Sequence, residues 1–239
     1  MALPVLNAAK YKTVIPSLGM EVEYRPYLVK EEKILMIALE SQDQQQILIA
    51  IKDVIASCVY NEIDVDTLTM FDLEALFLKL RSKSVGETTE VKAKCEECEH
   101  EHNEFIRFDD IKMPVVDTKN TTVELTDDVG LTLSYPKVGD IEKHDGSTLE
   151  SFDGIMEVLI DCIVSIYDAD NIYSAKDESR KTLKDFIDSL NSDQFSRLTK
   201  YFENLPALKH ELNFKCSNIV SNNDIYIHYI LLNIIINNV

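Results

Sequence analysis

The chain has 239 residues, 45% of them hydrophobic, and a formal charge of −18 from 24 basic and 42 acidic side chains. That length suits one large domain or two small ones, with enough apolar residues for a real core. The acidic surface repels phosphates and so argues against nucleic acid as a direct partner. The acids are spread along the chain, which argues against a disordered tail.

The opening Met-Ala-Leu-Pro-Val-Leu-Asn lacks the basic and long apolar regions of an export signal. No stretch reaches the length of a membrane span; the longest apolar run, residues 229–236, is interrupted by Asn233. The five cysteines are Cys58, Cys95, Cys98, Cys162 and Cys216. An odd count without an export signal points to a reducing cytoplasm. Cys58 and Cys162 stand in apolar surroundings and read as core residues.

In chain order, residues 13–16 and 20–24 flank Ser17-Leu-Gly19 and predict a β-hairpin. Apolar spacing predicts helices over residues 30–39 and 44–59. A third, over about 69–83, has Thr69 as N-cap and Asp72 at the N3 position of a capping-box-like start. Beyond a linker containing Gly86 the period falls to two. Residues 91–95 and 103–108 predict strands around a cysteine knuckle. Residues 123–125 and 131–135 predict a second hairpin around Asp127-Asp-Val-Gly130.

Helical spacing returns over residues 149–167, 176–190 and 193–203, the last capped by Asn191-Ser192. Residues 208–216 alternate like a strand that delivers Cys216. The predicted class is α+β, with helical N- and C-terminal parts around a central β-rich, zinc-ribbon-like segment. The predicted parts are 1–84, 85–147, 148–216 and an atypical Asn/Ile-rich tail, 217–239.

The segment Cys95-Glu-Glu-Cys98-Glu-His100-Glu-His102 concentrates soft-metal ligands. A Cys-x-x-Cys turn supplies half of a tetrahedral zinc site. The other half must come from elsewhere, and Cys216 with His100 is the easiest completion; His102 and His210 are further candidates. Redox chemistry is disfavoured, because the pair lies between strands and Glu96, Glu97 and Glu99 raise thiol pKa values. The bland alternative is a vestigial pair that binds nothing, the zinc having been lost.

Other signals fail on inspection. Asp168-Ala-Asp170-Asn171 resembles the start of a calcium loop, but Tyr173 and Ser179 occupy the places of its glycine and glutamate. It reads as a helix-ending turn. His144-Asp145 lacks a nucleophile and reads as solvated loop. No Walker, dinucleotide or nucleophile-elbow motif is present. Catalytic and cofactor-binding residues are therefore assigned to no position, and no small-molecule substrate is expected.

After Asn218 the composition changes. Residues 217–239 carry one charged side chain, Asp224, and are rich in Asn and Ile. Ile219 stands where a second Cys-x-x-Cys knuckle needs its partner cysteine. Either the reading frame shifts there, or the site has diverged and the tail forms a buried helix.

Three stretches carry a family resemblance: Tyr24-Arg-Pro-Tyr-Leu-Val-Lys-Glu-Glu-Lys-Ile-Leu35, Lys94-Cys-Glu-Glu-Cys98, and Phe186-Ile-Asp-Ser-Leu190 with Phe195, Phe202 and Leu205-Pro206. Over about residues 10–216 the chain resembles the baseplate hub proteins of T-even-like, contractile-tailed bacteriophages. The resemblance implies a non-enzymatic hub subunit or hub assembly factor whose partners are other baseplate hub proteins. It places the protein in the host cytoplasm during assembly and in the virion tail baseplate if retained. The family's second cysteine pair is missing beyond Cys216, which leaves Cys95, Cys98, Cys216 and His100 as the structural zinc ligands to be tested. The competing reading is a zinc-ribbon adaptor of regulatory type. It would need a basic or aromatic ribbon face, whereas the flanks of Cys95 are acidic. A metalloenzyme would need Glu97 or Glu99 as a general base, and the spacing does not support either.

Overall fold

The computed structural model describes residues 7–94, 98, 100–112, 116, 121–144, 152–215 and 224–230. The fold is α+β. Among the described residues the strands form three two-stranded sheets and one four-stranded sheet, every pair antiparallel. The chain divides into two compact units. Unit 1 takes Met1–Val65, Phe71–Pro114 and Ala207–Val239; unit 2 takes Asp66–Met70 and Val115–Pro206.

Unit 1 begins with the predicted hairpin, β1 (Tyr11–Ile15) paired with β2 (Met20–Tyr24). Gly19 lies at φ +61°, a region that L side chains reach only with strain. Ile15 and Val22 are fully buried, so the pleat turns one face inward. Helix α1 (Val29–Ser41) buries Leu35 and Ala38. Helix α2 (Gln44–Cys58) is capped by Asp43, whose carboxylate accepts from the Gln45 and Gln46 N–H groups. Helix α3 (Met70–Ser84) is buried nearly all round, with Phe71, Leu73, Leu76, Phe77, Leu78 and Leu80 inside. Such a helix is the centre of its core rather than its cover.

Asp72 does more than its predicted place in the first turn of α3 implies. Its carboxylate accepts the Ser17 N–H at 2.8 Å and the Ser17 hydroxyl at 2.5 Å, tying the β1–β2 turn to α3. The remaining strands of unit 1 are β3 (Thr88–Lys94) with β4 (Glu101–Arg107) and β9 (Lys209–Lys215) with β10 (Asp224–Ile230). The expectation of a helical tail is corrected here. Residues 224–230 pair with β9 from Asp224↔Lys215 to Ile230↔Lys209. Their alternating, β-branched and aromatic sequence favours an extended chain.

In unit 2 the sheet runs β5–β6–β7–β8, with β5 (Thr122–Glu124), β6 (Gly130–Leu133), β7 (Ile163–Tyr167) and β8 (Ile172–Ser174). Helices α4 (Val138–Glu142), α5 (Phe152–Asp161), α6 (Arg180–Asp188) and α7 (Ser192–Glu203) complete it. Its core joins Leu131, Leu133, Met156, Leu159, Leu183, Ile187 and Leu198. The predicted 149–167 helix is corrected: α5 stops at Asp161, and Ile163–Tyr167 is a strand against β6. The apolar residues there fit both periods, and the open edge of β6 selects the extended one. Gly130 has no room for a side chain: a Cβ would meet the Tyr167 hydroxyl at 2.2 Å and the Val123 carbonyl at 2.8 Å.

The turn at Asp168 is also corrected. It joins two strands and ends no helix. The Asp168 carboxylate accepts from the Asp170 and Asn171 N–H groups at 2.9 and 2.7 Å and from the Tyr173 hydroxyl at 2.9 Å. This is an Asx turn, made by the same oxygens that suggested calcium. Among the described residues no helix is long and apolar enough to cross a membrane.

Glu74, on α3, is buried and accepts a backbone hydrogen bond from Leu208, the residue before β9. Burial pushes its carboxyl up to about 7 from 4.5, and the Leu208 bond only partly opposes this. The folded state therefore holds a proton that the unfolded state releases between these values, and unit 1 loses stability as pH rises from 4.5 through 7. Glu74→Gln keeps an acceptor for Leu208 and removes the charge. Urea unfolding at pH 8 is expected to show the variant about 3 kcal/mol more stable, with the difference gone at pH 4.5.

Candidate functional site

The segment Arg25-Pro-Tyr-Leu-Val-Lys-Glu-Glu is where the hairpin hands over to α1, and its side chains bind their surroundings closely. The Arg25 guanidinium donates to the Glu31 carboxylate at 2.8 Å and to the carbonyls of Pro26 and Ser57, each at 3.0 Å. The Arg25 N–H donates to the Cys58 carbonyl. Glu31 also accepts the Leu28 N–H at 2.9 Å, which caps the first turn of α1. The Tyr27 N–H donates to the Ser84 hydroxyl at the end of α3. One short segment thus joins the hairpin, the start of α1 and the ends of α2 and α3.

Glu31 is 3% exposed as a side chain and Arg25 13%. Burial alone would raise the Glu31 carboxyl. The Arg25 guanidinium, the Leu28 N–H and Lys30 outweigh it and hold the group down at about 2. This pair therefore stabilises the fold above pH 4.5 and loses that contribution as pH falls toward 2. Arg25→Ala leaves a buried carboxylate with only the exposed Lys30 as a cation. A loss of about 3 kcal/mol is expected in urea unfolding at pH 7. Arg25→Lys should recover only part of it, because an ammonium cannot reproduce the planar fork.

The cysteine knuckle sits in the connection between β3 and β4, whose last pair is Lys94↔Glu101. Cys98 is half-buried in a turn there, and His100 follows it, exposed. His102 lies on β4 opposite Ala93, with its ring edge-on to that of His100 at 4.8 Å between centroids. Cys95 and Cys216 lie outside the described residues; β9 ends at Lys215, immediately before Cys216. Among the described residues no three His, Cys, Asp or Glu side chains converge as metal ligands. Of the four candidate ligands, Cys98 and His100 lie among the described residues, two residues apart on one connection.

His144 does not stand in solvated loop, which corrects that expectation. Its Nε2 lies 2.8 Å from Asp161 Oδ2, and both side chains are largely buried. Arg180 bridges Asp161 and Glu157. Burial would raise Asp161, but Arg180 and His144 hold it below the usual carboxylate range. Cys162 is adjacent in sequence and buried, and burial pushes its thiol up to about 12. Burial thus disfavours the Cys162 thiolate. Burial likewise raises Cys58 to about 11.

A family model described as T4 bacteriophage base plate protein matches residues 8–231. The chain belongs to this family. The match takes in every described strand and helix of both units. No curated protein and no solved structure matches the chain. Within the baseplate family's sequence, the segment around Arg25 is thus a structural clamp. The Ser17–Asp72 and Arg180–Glu157 ties were not visible in the sequence, because each joins residues far apart in the chain.

Proposed function

We propose that this baseplate-family protein acts at the baseplate hub, as a hub subunit or hub assembly factor, through protein–protein contacts and without catalysis. The observation that carries this reading is the family match across 224 of 239 residues, read as 8–231. Its partners are other baseplate hub proteins, met in the host cytoplasm during assembly. The outer face of α1 supports a role in contacts: Val29, Met36 and Ile37, spaced i, i+7 and i+8, are exposed, Val29 at 65% and Ile37 at 67%. The test is co-purification of the tagged chain with the other tail proteins of its phage, together with mass spectrometry of finished virions. Recovery of hub proteins is expected, and presence in virions separates subunit from assembly factor. Failure to bind any tail protein, with normal virions in its absence, overturns the reading. Ile37→Glu should leave the circular dichroism and urea midpoint unchanged and reduce that co-purification.

We further propose a structural zinc held by Cys95, Cys98, Cys216 and His100. Zinc would serve to tie the β3–β4 connection to the end of β9, with thiolates as the soft ligands. Purified reduced protein is expected to carry about one zinc per chain, lost in Cys98→Ser. A content near zero in the unaltered chain favours the vestigial pair.

A further inference from the structure

Unit 2 contains a cleft of about 430 Å³ between the edge strand β5 and the last turns of α7. All three residues of β5, Thr122, Val123 and Glu124, line one side, and Arg197, Lys200 and Tyr201 line the other. In a chain of charge −18 this places two cations one helical turn apart at one opening. Among the described residues neither cation has a carboxylate partner. Arg197 donates through one nitrogen, Nη1, to the carbonyls of Glu124 and Leu125 at 3.1 and 3.5 Å. That ties the guanidinium to the end of β5. The Tyr201 hydroxyl is buried and makes no hydrogen bond among the described residues. Burial pushes its pKa well above the ordinary tyrosine value, so it stays a phenol and can donate.

We infer that this cleft binds an extended peptide segment bearing a carboxylate. The carboxylate meets Arg197 and Lys200, and the peptide runs beside β5. Three features select this occupant. The lining holds two cations, Arg197 and Lys200, against one acid, Glu124, which is exposed on the rim strand. The fork of Arg197 matches a planar carboxylate. The full length of an edge strand lines the cleft, which suits an extended chain better than a compact ion. A polyanion such as nucleic acid is disfavoured, since two cations do not offset the surrounding charge. The cleft lies wholly within unit 2 and does not depend on the hub reading.

The test is an NMR titration of the full chain, isotopically labelled, with three short probes. One is an acetylated Gly-Leu-Leu peptide with a free C-terminal carboxylate. The second is an acetylated Leu-Glu-Leu peptide with an amidated end. The third is acetylated Gly-Leu-Leu amide, and inorganic phosphate is titrated separately. Saturable shifts of β5 amides and of the Arg197 side chain with the first or second probe support the proposal, and the better one shows whether a chain terminus or an internal acid is the source. Arg197→Gln is expected to weaken that binding about tenfold, and Lys200→Gln a few-fold. Lys200 is exposed, so its variant reports binding even if Arg197→Gln disturbs β5. Equal binding of the uncharged amide, stronger binding of phosphate than of either acidic peptide, unchanged affinity in both variants, or no saturable shift each overturns it.

Discussion

Arg25 and Glu31 are both withdrawn from water, and each makes the burial of the other tolerable. A buried carboxylate alone would take up a proton, and a buried guanidinium alone would pull its segment outward. Together with the carbonyls of Pro26, Ser57 and Cys58 and the N–H of Leu28, they form a hydrogen-bonded knot at the junction of the β1–β2 hairpin with α1 and α2. The Tyr27 N–H adds the end of α3 through Ser84. Because α3 is buried on almost every side, unit 1 needs elements that close over it from several directions. The knot sets where three of them begin or end.

The same logic recurs at lower cost elsewhere in unit 1. Asp72 is buried because Ser17 offers it two donors from the hairpin turn. Glu74 is the less satisfied case, with a single backbone donor from Leu208 and a carboxyl raised toward neutrality. Three acids at the core of one unit thus have different environments: Glu31, with Arg25, Leu28 and Lys30 as donors, is held down, whereas Glu74 is raised by burial. In unit 2 the polar ties lie nearer the surface. Arg180 joins α6 to Glu157 and Asp161 of α5, and Asp161 holds His144.

These arrangements bear on what a baseplate-family protein of this kind does. The cysteines of the described core are raised by burial away from reactivity, and the histidine–aspartate pair is used as a tie. What remains accessible is suited to contact: apolar side chains along the outer face of α1, and a cation-lined cleft at the edge of the unit 2 sheet. Both are surfaces of the kind proposed above for contact with other chains.

The sequence by itself determined the local elements of unit 1 and the α+β class. The hairpin at Gly19, the helices at 29–58, the Asn191 cap and the strands around the cysteine knuckle all rest on short-range signals: left-handed glycine, helical spacing, capping side chains and alternation. The family resemblance was legible for a related reason, since the clamp residues Arg25 and Glu31 lie six positions apart. The tertiary structure decided what local signals leave degenerate. Residues 163–167 satisfy helical and strand periods alike, and only the free edge of β6 selects the strand; residues 224–230 are likewise settled by β9. The same holds for the cleft between β5 and α7. Its two sides are separated by more than seventy residues, as the Arg197 bond to Glu124 shows. No local pattern can encode such a meeting, because it depends on which elements pack together after each has formed.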